Sequence, residues 1–139
     1  MPTLTRWFVK ASLVYFVAAL LAGVTLALRP VLDLPGYLNA LGPVYFHLFM
    51  VGWVSQLIFG VVYWMFPKYT SEKPRRSERL AWATWGLINL GLVLRSFGEP
   101  LVAAQPQAGY GWILAASAIL QWLAGLAFVA NTWGRVKER

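Results

Sequence analysis

Four long apolar runs, separated by short stretches rich in proline, glycine and charge, set the pattern of this chain. They cover residues 11–28, 44–66, 80–97 and 110–133. Each approaches or exceeds the roughly 20 apolar residues needed to cross about 30 Å of hydrocarbon. Inside lipid every backbone polar group needs an internal partner, and the runs are too long for barrel strands, so each predicts a helix. Arg29-Pro30 closes the first run and Pro67 the second, while Arg95 interrupts the third near its end. The links are residues 30–42, 68–79 and 99–109. Residues 1–139 therefore read as a single transmembrane domain, an all-α integral membrane four-helix bundle. Arg6 and Lys10 give the first run the look of a signal peptide. Its apolar core is longer than the usual h-region, however, and no clean small-x-small site follows it, which predicts a retained helix.

Composition agrees with the pattern: 59% of residues are hydrophobic, 12% are charged, and eight are tryptophan. Mean hydropathy is +0.58. The absence of cysteine excludes disulfides, thiolate-held metals, iron–sulfur clusters and thioether-attached haem. A net charge of +7 would suggest nucleic acid in a soluble protein. Here the cations lie beside apolar spans, where they fix topology and meet anionic lipid heads, so no nucleic-acid partner is expected. Arg6 and Lys10 precede the first span. Lys68, Lys73, Arg75, Arg76 and Arg79 fill the central link, and Arg135, Lys137 and Arg139 follow the last span. The positive-inside rule then predicts both termini and the central link in the cytoplasm, with links 30–42 and 99–109 outside. Such a strong bias fits the inner (plasma) membrane of a prokaryote.

That topology places the chemistry. The run 43–67 (PVYFHLFMVGWVSQLIFGVVYWMFP) carries no Asp, Glu, Lys or Arg, and it holds the chain's one histidine, His47. An ionisable side chain within a span is costly to desolvate and marks a functional candidate. His47 falls about one turn below the outer surface. Arg29, Asp33, Arg95 and Glu99 are expected at the same level, giving an outer cluster of an imidazole, guanidiniums and carboxylates. Nothing comparable is expected at the inner face, where the charges read as topology signals. At about 100° per residue His47 shares a helix face with Met50, Val51, Val54, Ile58 and Val62. An apolar face with one imidazole at its outer end suits a haem: iron on His47, macrocycle along the aliphatic side chains, propionates outward. Arg95 or Arg29 would then bind a propionate through paired hydrogen bonds.

The segment HLFMVGWVSQLIFGVVYWMFP resembles the second transmembrane helix of subunit I in the haem–copper oxidase and nitric oxide reductase superfamily. In that family an outer-end histidine ligates a low-spin b-type haem, and small and aromatic residues lead to an inner-end proline. His47 matches the ligand, Gly52 and Gly60 the small positions, Tyr63 and Pro67 the aromatic and proline exit. The likeness covers about 25 residues well and the third helix loosely. The family's subunit I has many more helices and several further histidines. The copper ligands, the high-spin haem ligand and the second low-spin ligand have no counterpart here. The resemblance thus implies half of a low-spin haem site, and no oxygen or nitric oxide reduction by this chain on its own; whether it is an enzyme at all stays open. Arg95 as a propionate partner is not part of the resemblance.

With one histidine, a haem b has two arrangements open to it. In the favoured arrangement two protomers share one bis-histidine haem across a two-fold axis, which transfers electrons with a redox partner at the outer face. Alternatively each protomer holds a five-coordinate haem with an open face that senses a diatomic gas. Methionine ligation by Met50 fits poorly, because it sits beside His47 on the same helix and does not reach the opposite side of the iron. The plainer readings are that His47 is a hydrogen-bonding helix contact and that Arg95 snorkels or pairs with Glu99 one turn on. On those readings the chain is a cofactor-free structural or assembly subunit of a respiratory complex. Gln56, Asn89 and Gln121 fall near mid-membrane and predict hydrogen bonds between helices. With no carboxylate or lysine at that depth, transport is disfavoured. Gly52, Gly60 and Gly91 offer small surfaces for close helix approach. No catalytic constellation appears: there is no cysteine, phosphate loop or buried carboxylate pair, and no base but His47 for the serines in the spans.

Overall fold

The computed structural model describes residues 1–137, and its architecture is four helices long and apolar enough to span a membrane: α1 (Thr3–Leu28), α2 (Gly36–Met65), α3 (Glu78–Ala104) and α4 (Gly111–Arg135). No strand occurs among the described residues. The apolar runs thus form the expected helices, with two extensions. α1 begins eight residues before its uncharged stretch, taking Arg6 and Lys10 into its first turns. α3 runs past Arg95 and Glu99 through Pro100 to Ala104, into what the sequence marks as a link. Proline there removes only one N–H near the helix end, where a missing bond costs least. At the other end of α3, Ser77 caps the helix by accepting from Leu80 N–H at 3.2 Å.

α2 is not uniform. It opens with a 3₁₀ turn (Gly36–Ala40) and an α-helical stretch (Leu41–His47), continues as a π-helix (Leu48–Ser55) and ends α-helical (Gln56–Met65). The π winding starts at the residue after His47. The Ser55 hydroxyl donates to the carbonyl of Met50 at 2.8 Å, five residues back, following the wider coil.

The helices pair as two antiparallel hairpins, α1 on α2 and α3 on α4, joined along α2 and α3; α1 and α3 barely touch. Lipid is as apolar as leucine, so close packing and polar contacts rather than burial of oil hold such a bundle. Close packing is visible at Gly52, where a Cβ would fall 2.7 Å from Tyr15 Cβ. It recurs at Gly60, 2.9 Å from Phe8 Cβ, and at Gly91, 2.8 Å from Gln121 Cγ. Phe59 and Phe128 stack at 3.8 Å between α2 and α4. Most of the apolar surface points outward: only 11% of the most hydrophobic stretch of α4 is buried within the bundle. Outward leucines, valines and tryptophans on every helix make this a multi-pass membrane protein with a lipid-facing exterior.

Polar side chains tie the layers at mid-height. Gln56 and Asn89 exchange hydrogen bonds at 3.2 and 3.4 Å, joining α2 to α3 as expected of them. Gln121 donates to Ser117 on its own helix, and Ser117 donates to the Gly91 carbonyl of α3 at 2.7 Å. Gln121 therefore reaches the neighbouring helix through a serine.

Candidate functional site around His47

His47 sits where α2 passes from α to π winding and is half-buried. Its Nδ1 lies 2.9 Å from the carbonyl of Pro43, one turn earlier. A carbonyl only accepts, so Nδ1 carries a proton, and in the neutral imidazole Nε2 is then the nitrogen with the lone pair. Histidine ligands are commonly fixed in this way: the backbone holds one nitrogen and the other is offered.

Register brings Arg95 to the level of His47. From the Gln56–Asn89 crossing, His47 lies nine residues along α2 and Arg95 six along antiparallel α3, at most about 13 Å and about 9 Å at 1.5 Å per residue. The two residues therefore stand within about one turn of each other in height, and the Leu41–His47 stretch packs against α3. The Arg95 Nε is 3.0 Å from Glu99 Oε1, in a pair whose side chains are only 21% and 15% exposed. Among the described residues, Arg29 at the end of α1 makes no ion pair, Asp33 is exposed, and neither guanidinium bonds to His47. The expected outer cluster is thus partly assembled: Arg95 with Glu99, level with His47.

The face beside His47 differs from the one drawn at 100° per residue. The π winding advances each residue by a smaller angle, and the buried stripe of α2 becomes Val44, Leu48, Gly52, Gln56 and Gly60, every fourth residue. His47 lies one position before Leu48 in that stripe. Val51, one π-turn on, packs with Phe59 against the core of Ile88, Leu92 and Ala124. Val54 is half-buried, whereas Met50 and Ile58 point outward, 42% and 52% exposed. His47 therefore borders the α3–α4 side through Val51, and the outer surface of α2 through Met50.

The opposite end of the bundle corrects the view that its charges serve only topology. Arg135 is buried, 2% exposed. Its Nε donates to Pro67 O at 3.0 Å, and its Nη2 donates to Phe66 O at 2.8 Å and Tyr63 O at 3.2 Å. These carbonyls end α2, where intrahelical donors run out and partial negative charge gathers. Asn131 donates to the Tyr63 hydroxyl and to Ser77 O, and accepts from Ser77 N–H. Arg76 donates to the Ala130 carbonyl. The only sequence signal was the uncharged run through Gly134 followed by a guanidinium, a pattern shared with any positive-inside tail. Among the described residues no group of three or more His, Asp or Glu side chains converges on a metal site.

Comparison with known proteins adds one result. The family model described as "Cytochrome C and Quinol oxidase polypeptide I" matches residues 1–112, which takes in α1, α2 and α3 with His47 and Arg95. No curated protein and no solved structure matches the chain.

Proposed function

The chain belongs to the cytochrome c and quinol oxidase polypeptide I family, and from that premise we propose that it is a membrane haem protein with His47 as axial ligand to a b-type haem. The observation that carries this reading is the Nδ1 contact with the Pro43 carbonyl, which in the neutral imidazole turns the Nε2 lone pair of the one histidine toward a metal. The donor set fits a haem better than a bare metal ion, because a porphyrin brings four nitrogens and asks the protein for only one or two more. When bound, the haem supplies one-electron exchange, or diatomic binding if one iron face is open.

The residues of this chain divide the remaining tasks. Val51 and Val54 offer apolar surface beside the imidazole, and Met50 and Ile58 extend it on the outward side of α2. Arg95 holds a carboxylate already, in Glu99, and a propionate is a carboxylate of the same kind. Arg29 makes no ion pair among the described residues and is the second candidate. His47 is half-exposed rather than enclosed in the core, so a second copy is the natural source of the opposite ligand. The proposed assembly is a homodimer with one shared bis-histidine haem, N- and C-termini cytoplasmic, in a prokaryotic plasma membrane, exchanging electrons with a partner at the outer face.

A reduced-minus-oxidised visible spectrum of the detergent-purified protein, wild type beside His47→Ala, tests the proposal. A sharp reduced α-band lost in the variant is expected, with one haem per two chains and no carbon monoxide shift. A carbon monoxide shift with one haem per chain would replace the shared site by an open one. A colourless wild type from haem-replete cells would refute haem binding and leave a structural subunit of a respiratory complex.

A further inference from the structure

We infer that the seam between α1 and α3 is a binding groove for one anionic phospholipid, its head at the N-terminus of α1 and its acyl chain along Trp7, Val14 and Trp85. This inference does not depend on haem binding, and a colourless protein would leave it intact.

α1 and α3 meet only loosely along this seam. Two cavities open between them, of about 130 and 280 Å³, and one of about 250 Å³ lies beside them on the face of α1. The first lies at the end carrying the termini, between Thr3, Thr5, Tyr63, Arg75 and Glu78. The second is lined by Thr3, Arg6, Trp7 and Lys10, and the third by Trp7, Lys10, Val14, Tyr15, Trp85 and Asn89. Shared lining residues make them neighbours: Thr3 borders the first and the second, Trp7 and Lys10 the second and the third. The seam runs from a polar mouth to an apolar channel, the profile of an amphiphile.

Charge decides the head. Arg6 and Lys10 stand one turn apart on α1 and line the second cavity, which contains no acid. Neither forms an ion pair among the described residues, whereas Arg75 is partly neutralised by Glu78 at 3.4 Å. α1 has no side-chain N-cap and no acid in its first turn. The N–H groups of Thr3, Leu4 and Thr5 are thus left without helical partners, with the positive end of the helix dipole behind them. Such an end favours a phosphate.

Two orphaned donors provide evidence independent of the helix end. Thr5, 1% exposed, lines the first cavity, and its hydroxyl has no partner. Trp85 lines the third, and its indole N–H is buried without a partner. Buried donors are nearly always satisfied, and a phosphodiester with ester carbonyls below it brings acceptors at successive depths. Trp7 meets Trp85 edge-on at 5.6 Å across the seam, flooring the channel with aromatic surface.

The full chain in phosphatidylcholine nanodiscs containing a minor fraction of phosphatidylglycerol tests this, with brominated acyl chains on one lipid at a time and tryptophan quenching as readout. Brominated phosphatidylglycerol is expected to quench at much lower mole fraction than brominated phosphatidylcholine, with the signal diminished in Trp85→Phe. Arg6→Gln with Lys10→Gln should weaken the anionic preference about 25-fold, at about fivefold per cation near the surface. Ala11 also lines the third cavity, and Ala11→Phe, which fills the channel without changing charge or adding a tryptophan, should abolish the saturable quenching. Equal quenching by both lipids would overturn the proposal, as would full quenching in Ala11→Phe. An equal loss in Lys68→Gln with Lys73→Gln would reduce it to general electrostatics and so refute it. Displacement by excess inorganic phosphate would make the site one for free anions instead.

Discussion

Replacing Arg135 by methionine removes one guanidinium of similar length and apolar bulk, and the structure fixes what is lost. Three carbonyls at the end of α2, those of Tyr63, Phe66 and Pro67, lose their donors at once. Hydrogen bonds from a charged donor contribute about 1.5–3 kcal/mol each, so the gross loss approaches about 7 kcal/mol. Two effects reduce it. The guanidinium Nη1 is buried without a partner, an unmet donor whose cost of about 1–3 kcal/mol disappears with the side chain. The carbonyls also end a helix at the edge of the span, where water returns to some of them. A net destabilisation of about 2–4 kcal/mol is expected, near the range for breaking a buried charged contact. Reversible unfolding in mixed micelles, followed by circular dichroism, measures it. Lys137→Met is the control, because it deletes the same charge two residues on, from a side chain with a single bond to Tyr69 O at 2.9 Å. Arg135→Lys should recover only part of the loss, since a point ammonium cannot span three acceptors in a fork. If Arg135→Met falls within about 0.5 kcal/mol of wild type, the range of ordinary surface changes, the capping role is wrong. The same conclusion follows if the two methionine variants lose equally.

Other perturbations read other parts of the bundle. Gly52→Ala would press a methyl against Tyr15 Cβ, which cannot swing aside, and should cost about 1–3 kcal/mol; thermal melts would show it. Gly86→Ala and Gly125→Ala meet open space and should be neutral or stabilising by up to about 1 kcal/mol. Gln56→Leu and Asn89→Leu should each destabilise, while the double variant should lose less than their sum. The expected coupling is about 0.6 kcal/mol, typical of hydrogen bonds between membrane helices, and strict additivity would deny the contact. If haem binds as proposed, Arg95→Gln should shift the midpoint potential without removing the α-band that His47→Ala is expected to abolish; loss of the band in Arg95→Gln would make it a determinant of binding itself.

What the residues disclose about this fold depends on whether their effect is local. Each apolar run must be a helix in lipid whatever surrounds it, so the four spans are legible from hydropathy alone. Gln56 and Asn89 are legible for the same reason: an amide at mid-membrane has few partners except another amide. The π winding of Leu48–Ser55 is not legible. Its residues are ordinary helix and strand formers, and what accompanies the wider coil is a distant contact, Tyr15 of α1 seated on Gly52. That winding shifts which side chains follow His47, and a face drawn at constant pitch overstates Met50 and Ile58 at the expense of Phe59. Arg135 misleads in the opposite direction. Its position after an apolar span is what topology alone would produce, and only the fold brings it under α2. Arg95 shows the middle case: its pairing with Glu99 follows from spacing on one helix, but its height relative to His47 needs the register set by Gln56 and Asn89.

The Arg135 fork also has a consequence in time. Its acceptors precede it by 68 to 72 residues, so during synthesis α2 is made long before its cap exists. At about 5–20 residues per second, the end of α2 waits roughly 3–14 s with its carbonyls held only by water or lipid heads. Throughout that interval the close approaches of Gly52 to Tyr15 and Gly60 to Phe8 can seat α2 on α1, and the Gln56–Asn89 pair can set its register to α3, but its last turn stays uncapped. The arrival of Arg135 closes that turn, so the end of α2 is the last part of the earlier hairpin to acquire its partners.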